Sequence, residues 1–450
     1  MSHQFANLYF MRLCELRPRV EAAASAKWGS EILNRRVKTL DAEAGVPVFC
    51  VGTVYRDMAA KPNLLDEANR DLFDQRSAEE ESVANAAKYC GEDDGLLLED
   101  ESGRLALRLP AALTEGLLLV TGSVIGVTGS LGDNGELEVD GVCFPGLPPQ
   151  PAAPPREATA VASSDLPSEG RYVALVSGLR VGDDVQAMLP LQLLAEHLTG
   201  QLGCDEDHRM QANIVRLIVA GNATSTPSSD AGDASSTGAS ATGDVLKKLA
   251  PPQQKHSAQH VRTLDQFLTA VCAAIPTDLM PGAEDPCNFL LPQQRFHPCM
   301  LPHSAQLSSL NLCTNPYCSD IDGVRVLGTS GQPLDDMQKY VPGNDRLGTL
   351  AKSLELQHLA PTAPDTLGCY PFDDATSDPF VVDECPRVFF AGNQPRFEST
   401  LVEGAAGQKT RVVMVPDFSK EPVCVLVDLD TLECKSVAFA GLDAATDMQI

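Results

Sequence analysis

The 450-residue chain carries a net charge of −27, with 43% hydrophobic and 21% charged residues, the makeup of a globular protein of two or three domains. No apolar run approaches the ~20 residues that span a bilayer, and residues 1–16 lack a basic region followed by a long apolar core, so a soluble intracellular chain without membrane contact is expected. So acidic a surface repels a phosphate backbone on average, which argues against primary nucleic-acid binding and for a partner with a basic face.

Residues 5–27 read as a helix. Phe5, Leu8, Tyr9, Leu13, Leu16 and Val20 recur near the 3.6-residue period, Pro18 can open a further turn, and Gly29 after Trp28 is placed to cap the C-terminus. Together with residues 30–44 they make an N-terminal helical segment, 1–44. Strands then take over at 46–55, 96–98, 104–109, 117–129 and 136–144, the last two joined by the tight-turn signal Asp133-Asn134-Gly135. Residues 64–89 form a polar, acidic, helix-like insertion. Short strands with Gly122, Gly126 and Gly129 suit a strongly curved sheet, and residues 45–146 fit a five-stranded oligonucleotide-binding-type β-barrel. Barrels that bind single strands stack bases on aromatics in a basic groove. Residues 95–143 hold no Phe, Tyr or Trp, and only Arg104 and Arg108 against eight acidic residues. The barrel is therefore expected to dock protein, with DNA contact weak or indirect.

Residues 147–170 are a Pro/Ala/Ser-rich linker. Beyond it, apolar strand-like runs at 172–176, 214–220, 307–314, 323–328, 387–391, 411–415 and 423–428 are interleaved with helical periods at 189–202, 256–274 and 345–359. Alternation of this kind predicts an αβ sandwich over 171–441, interrupted by a disordered Ser/Thr/Ala/Gly insertion at 223–243 and followed by a tail, 442–450.

Between two apolar-periodic segments, residues 279–300 hold Pro281, Pro286, Pro292 and Pro298, a stiff loop rather than a helix. Its order is that of a metal-ligand loop with the ligands replaced. A two-metal phosphoesterase sets carboxylate, amide and imidazole groups on loops after successive strands, where they bridge two cations and generate a hydroxide nucleophile. Here the first such loop offers Ser177 and Leu179 and the second Gly221 and Asn222. The third offers Gly282, Ala283, Glu284 and Asp285, and a later one Gly392, Asn393 and Pro395; His358 is the isolated histidine. Asn222, Asp285 and Asn393 are too few and too weak as donors for two metals. No catalytic, cofactor-binding or metal-binding residue is therefore expected, and these positions are vestigial. Asp285 ahead of Pro286 is expected to bond backbone amides of its loop, His358 to be buried and hydrogen-bonded, and Asp365 and Thr366 to stabilise a turn. The 14 cysteines include no Cys-x-x-Cys pair; a zinc site from Cys287, His297, Cys299, His303, Cys313 and Cys318 would match no standard finger spacing.

Several stretches together are more specific. They are Val173-Ala174-Leu175-Val176-Ser177-Gly178-Leu179, Val219-Ala220-Gly221-Asn222, Met280-Pro281-Gly282 with Asp285-Pro286, Leu291-Pro292-Gln293-Gln294, Thr314-Asn315-Pro316, Leu327-Gly328-Thr329-Ser330-Gly331-Gln332, Ala360-Pro361-Thr362-Ala363-Pro364-Asp365-Thr366-Leu367 and Val415-Pro416-Asp417-Phe418. In this order, with Arg12, Arg17-Pro18 and Trp28-Gly29, they closely resemble the B-subunit family of the eukaryotic replicative DNA polymerases alpha, delta and epsilon, in its delta version. The resemblance implies an N-terminal helix, an oligonucleotide-binding barrel and a calcineurin-like phosphoesterase sandwich that has lost its metal ligands. It implies a non-catalytic nuclear scaffold. That scaffold holds the Cys-rich C-terminal module of the catalytic subunit and the third, clamp-binding subunit, and so reaches the sliding clamp indirectly. Two other readings stand beside it: a phosphodiesterase or nuclease with an altered site built on Asp285, Asn222 and His358, and a single-stranded-DNA-binding module. The basic residues Arg35, Arg36 and Lys38, or Lys247 and Lys248, are too few for an import signal, so the nuclear expectation rests on the resemblance.

Overall fold

In the computed structural model, which describes residues 6–61, 88–91, 94–114, 116–152, 170–182, 185–225, 258–371 and 377–439, the first apolar period folds as one helix, α1, Ala6–Trp28. Gly29 follows it at φ +88, and its N–H closes the last turn on the Ser25 carbonyl at 2.9 Å. The apolar stripe Leu13, Leu16, Val20 and Ala24 is buried against Phe49, Val51 and Val124. Each such large side chain contributes about 1.5–3 kcal/mol.

Phe49 and Val51 lie on β1 (Pro47–Asp57), which forms a closed barrel with β2 (Gly95–Glu99), β3 (Arg104–Arg108), β4 (Val124–Leu131) and β5 (Glu136–Cys143), in the order β1-β2-β3-β5-β4. Alternation along β1 sends Val48, Cys50 and Val54 into the barrel with Leu98, Ile125 and Leu137, while Phe49 and Val51 turn outward under α1. Both faces of that strand are therefore covered over its first half, and residues 48–51 are apolar without alternation. The strand expected at 117–129 starts only at Val124. Before it the chain bends at Gly122 (φ +87), where a Cβ would lie 1.8 Å from the Pro361 carbonyl oxygen, so only glycine fits. The hairpin at Asp133-Asn134-Gly135 joins antiparallel β4 and β5 as expected.

The described residues fall into two compact units. The first takes the chain to Gln150 together with residues 333–385, although in sequence the latter lie inside the 171–441 stretch. That return segment includes most of the helix Gln332–Lys339 and all of the helix Arg346–Glu355, which Asp345 caps by accepting from the Gly348 N–H at 2.8 Å.

The second unit holds two sheets. β6 (Tyr172–Val176), β7 (Ile214–Ala220), β8 (Thr277–Met280) and β9 (Leu310–Leu312) run parallel, with β15 (Val423–Asp428) antiparallel on β6 and β16 (Cys434–Ala438) outside it. The other sheet has the order β10-β11-β12-β14-β13, with β11 (Val324–Thr329), β12 (Val388–Gln394) and β14 (Lys409–Pro416) parallel, flanked by β10 (Tyr317–Ile321) and β13 (Glu398–Glu403). Val173 and Leu175 of β6 face the five-stranded sheet through Val326, Phe390 and Val413. Ala174 and Val176 face the helices Val185–Leu198 and Ala258–Cys272 through Leu194, Leu264 and Leu268. Burial on both faces explains the uninterrupted apolar run. The architecture is thus mixed αβ, with two stacked sheets and helices on one of them. The linker at 147–170, the helical insertion at 64–89, the insertion at 223–243 and the 442–450 tail lie, apart from their margins, outside the described residues.

Candidate functional site

Parallel strands end together, and their C-terminal loops are where open αβ sheets carry function. In the second unit the loops after β6, β7, β8, β11, β12 and β14 meet. The Ser177 hydroxyl, 0% exposed, donates to the Pro416 carbonyl at 2.9 Å and accepts from the Asn393 N–H at 2.8 Å. The Asn393 amide donates to the carbonyls of Ser330 at 2.7 Å and Ala220 at 3.3 Å. Gly221, at φ +83, lets its loop approach so closely that a Cβ would stand 2.5 Å from Ser330 and 2.8 Å from Gly282. The Gly178 N–H donates to the Gly221 carbonyl at 2.9 Å.

The positions singled out in the sequence divide between structural roles. Leu179 points into the apolar core at 1% exposure. Asn222, left-handed at φ +52, accepts from the Glu284 N–H at 3.0 Å. Asp285 is buried and accepts from the N–H groups of Gly282, Ala223 and Thr224 at 2.8, 3.2 and 2.9 Å and from the Thr224 hydroxyl at 3.1 Å. Burial pushes its carboxyl up from the ordinary range, and those donors pull the other way. Gly282 and Gly392 leave no room for a side chain, since a Cβ would meet the Asn222 amide oxygen at 2.3 Å and the Ala220 carbonyl at 2.5 Å respectively. Ala283 carries no donor and Pro395 is exposed. Beside them lies a buried amide network: Asn315 Nδ2 donates to Gln293 Oε1 at 2.7 Å and to Gln332 Oε1 at 3.1 Å, and Gln293 Nε2 to the Gly282 carbonyl at 3.0 Å. The side-chain oxygens of Ser177, Asn222 and Asp285 are thus committed to backbone amides, and neither they nor the amides fit a pair of divalent cations. Among the described residues no group of three or more His, Cys, Asp or Glu side chains is placed to hold a metal ion. Of the zinc candidates only His297 and Cys299 touch, at 2.8 Å, while burial pushes the thiols of Cys287 and Cys313 up to about 12.

His358 belongs to the first unit. Its Nε2 bonds Asp378 Oδ2 at 2.9 Å, and the same oxygen accepts from Arg12 Nε at 2.9 Å. Arg12, itself 0% exposed, also donates to the carbonyls of Gly122, Pro361 and Ala363 at 3.3, 2.8 and 2.8 Å. Burial, and then the Arg12 guanidinium, hold the His358 imidazole down to about 4 against the pull of Asp378. Burial raises the Asp378 carboxyl, but His358 and Arg12 prevail and keep it well below the usual range. The folded unit refuses a proton at His358 that the unfolded chain accepts below about pH 6.5. Stability should therefore fall by about 3 kcal/mol as pH drops from about 6.5 to 4. Urea midpoints at pH 7 and 4.5 measure this; the same pH dependence in His358→Gln would contradict it.

On the barrel, β1 carries an aromatic, Tyr55, ahead of residues 95–143. Its ring carries Lys61 Nζ 5.0 Å and the Arg104 guanidinium 4.9 Å from the centroid, so cations already sit over the ring where a base would stack.

Two known families match successive parts of the chain. Residues 4–142 match the family described as DNA polymerase delta subunit OB-fold domain, and residues 173–399 match the DNA polymerase alpha/epsilon B-subunit family. The DNA polymerase delta small subunit of Arabidopsis thaliana is 36% identical over 97% of this chain and 91% of its own length. The chain belongs to the DNA polymerase delta small-subunit family. The DNA polymerase delta subunit 2 of Drosophila melanogaster, 36% identical over 97% of this chain and 93% of its own, and the small subunit of Saccharomyces cerevisiae, 32% identical over 96% and 89%, are similar along nearly the whole chain as well. Members of this small-subunit family are accessory subunits of a replicative polymerase and not its catalytic chain, and the barrel is the family's OB fold.

Arg12, Arg180 and Asp417 do much to hold these two clusters, and chemical motif reasoning did not single them out. A lone arginine carries no motif. The only sequence signal is that Arg12 and Asp417 fall within the stretches shared with the family.

Proposed function

We propose that this chain is the scaffold of a polymerase delta complex, joining the Cys-rich C-terminal module of the catalytic subunit to the third, clamp-binding subunit and so, indirectly, to the sliding clamp. Its second unit is a calcineurin-like phosphoesterase sandwich whose ligand positions Ser177, Leu179, Asn222, Ala283, Glu284, Asn393 and Pro395 have been given over to structure. The observation that supports this reading is the loop cluster: loops after parallel strands meet there, yet the side-chain oxygens of Ser177, Asn222 and Asp285 bond backbone amides. The complex works in the nucleus. The net charge of −27 favours protein docking over DNA contact.

Co-expression with the catalytic subunit's C-terminal module and the third subunit, followed by size-exclusion chromatography with light scattering, tests the proposal. A single stable ternary species is the expected result. A chain that elutes alone, or that hydrolyses bis(p-nitrophenyl) phosphate in the presence of Mn2+, would overturn it in favour of an altered phosphodiesterase.

A further inference from the structure

The mouth of the loop cluster concentrates acceptor oxygen. Two carboxylates, Glu284 on the loop after β8 and Asp417 on the loop after β14, stand there, and Asp417 is only 5% exposed. The buried Oδ1 of Asn393 accepts no hydrogen bond. It converges with Asp417 Oδ1 on Gly178, where a Cβ would lie 2.9 and 2.4 Å from the two oxygens. Such a concentration of acceptor oxygen ordinarily draws a cation. The donor set does not fit the divalent pair that a phosphoesterase would hold, but it does hold a cation of another kind. Arg180 Nε bonds both oxygens of Asp417, at 3.3 and 3.1 Å, and its Nη1 bonds Glu284 Oε2. Among the described residues the tip of Lys420 adds a second positive group, 3.4 Å from Asp417 and 73% exposed.

The backbone is bent to deliver this side chain. Arg180 is one of few non-glycine residues in the left-handed region, at φ +42, a conformation that costs free energy unless its surroundings compensate. Its N–H donates to the Asn222 carbonyl at 3.0 Å, which fixes the guanidinium relative to the loop after β7 as well. The side chain thus ties the loops after β6, β8 and β14 at a single point.

We propose that Arg180 is a tethered cation: its guanidinium takes the place of the metal charge in the loop cluster, keeps Glu284 and Asp417 neutralised and in register, and excludes a divalent ion from between them. This rests on the reading of the cluster as a disused metal site and states what replaced the metal. Without Arg180, two carboxylates face each other across an acceptor-rich space, and a hard divalent cation becomes the best available partner for them.

The test is a set of three full-length variants followed by thermal unfolding: Arg180→Gln, Glu284→Gln/Asp417→Asn, and the triple combination. Arg180→Gln should lower Tm by about 4 °C, and the triple variant should recover most of that loss, because the carboxylates rather than the missing side chain are what destabilise. At matched ionic strength, MgCl2 in place of KCl should raise the Tm of Arg180→Gln by about 2 °C and leave the wild type and the triple variant unmoved. A triple variant no more stable than Arg180→Gln would overturn the proposal, as would identical responses of wild type and Arg180→Gln to Mg2+. Neither result depends on complex formation, so the scaffold reading stands or falls separately.

Discussion

Replacing Arg12 by alanine should destabilise the first unit by about 4 kcal/mol, the largest single-residue effect expected in this chain. The side chain is fully buried and joins α1 to Asp378 and to the carbonyls of Gly122, Pro361 and Ala363. Truncation would leave the Asp378 carboxylate, also 0% exposed, without its charged partner, bonded to His358 and the Phe380 N–H, and would strip donors from buried carbonyls. The loss should appear in urea unfolding at pH 7 followed by the fluorescence of Trp28, which packs edge-on against Phe49 of the barrel at 6.2 Å between centroids. Adding Asp378→Asn to Arg12→Ala should recover part of the loss, since it removes the stranded charge. A loss below about 1 kcal/mol would mean that water reaches the site and the pair is worth no more than a surface one.

Asp285→Ala should cost the second unit about 3 kcal/mol, because three backbone N–H groups and a hydroxyl from two loops lose their common acceptor in a site closed to water. Asp285→Asn should be milder, about 2 kcal/mol: one oxygen still accepts, but the amide nitrogen then confronts a donor. Hydrogen exchange at Gly282, Ala223 and Thr224 would localise the effect. Unchanged protection at all of them in Asp285→Ala would show that the carboxylate is not what holds the two loops together. In the scaffold reading such a variant damages the complex only through stability, and binding should return at lower temperature.

Elements whose burial is regular were legible from the sequence. α1 buries Leu13, Leu16, Val20 and Ala24 at helical spacing, β6 and β7 are apolar apart from Arg216 because both faces are covered, and the Asp133-Asn134-Gly135 turn joins β4 and β5. Elements defined by tertiary contact were not. β8 is four residues long between Pro276 and Pro281 and contains Asp278, which is buried only because Arg216 and the Tyr317 hydroxyl bond it at 2.9 and 2.5 Å. β10 follows directly on Pro316 and alternates polar residues on an edge, and β13 and β16 are likewise edge strands with exposed charge. The helices Asp205–Ala212 and Gln332–Lys339 are eight residues each, too short for periodicity to stand out. For the site, the sequence showed which ligands had been replaced, because that is a matter of residue identity. It was silent on where the remaining polar atoms point, and so on Arg180 holding Glu284 and Asp417 and on His358 and Arg12 sharing Asp378 within the first unit.

The pairing of Arg12 with Asp378 spans 366 positions, and β6 gains its antiparallel neighbour only from residues 425–428. On a ribosome adding about 5–20 residues per second, α1 therefore waits roughly 20–70 s for the carboxylate that neutralises it. The barrel strands emerge within that interval and can cover Leu13, Leu16 and Val20, but of the guanidinium's partners they bring only the Gly122 carbonyl, at the bend before β4. A nascent chain arrested before residue 378 carries half of an ion pair, and one arrested before 423 carries an open sheet edge at β6. Only release of the last fifth of the chain lets both units close.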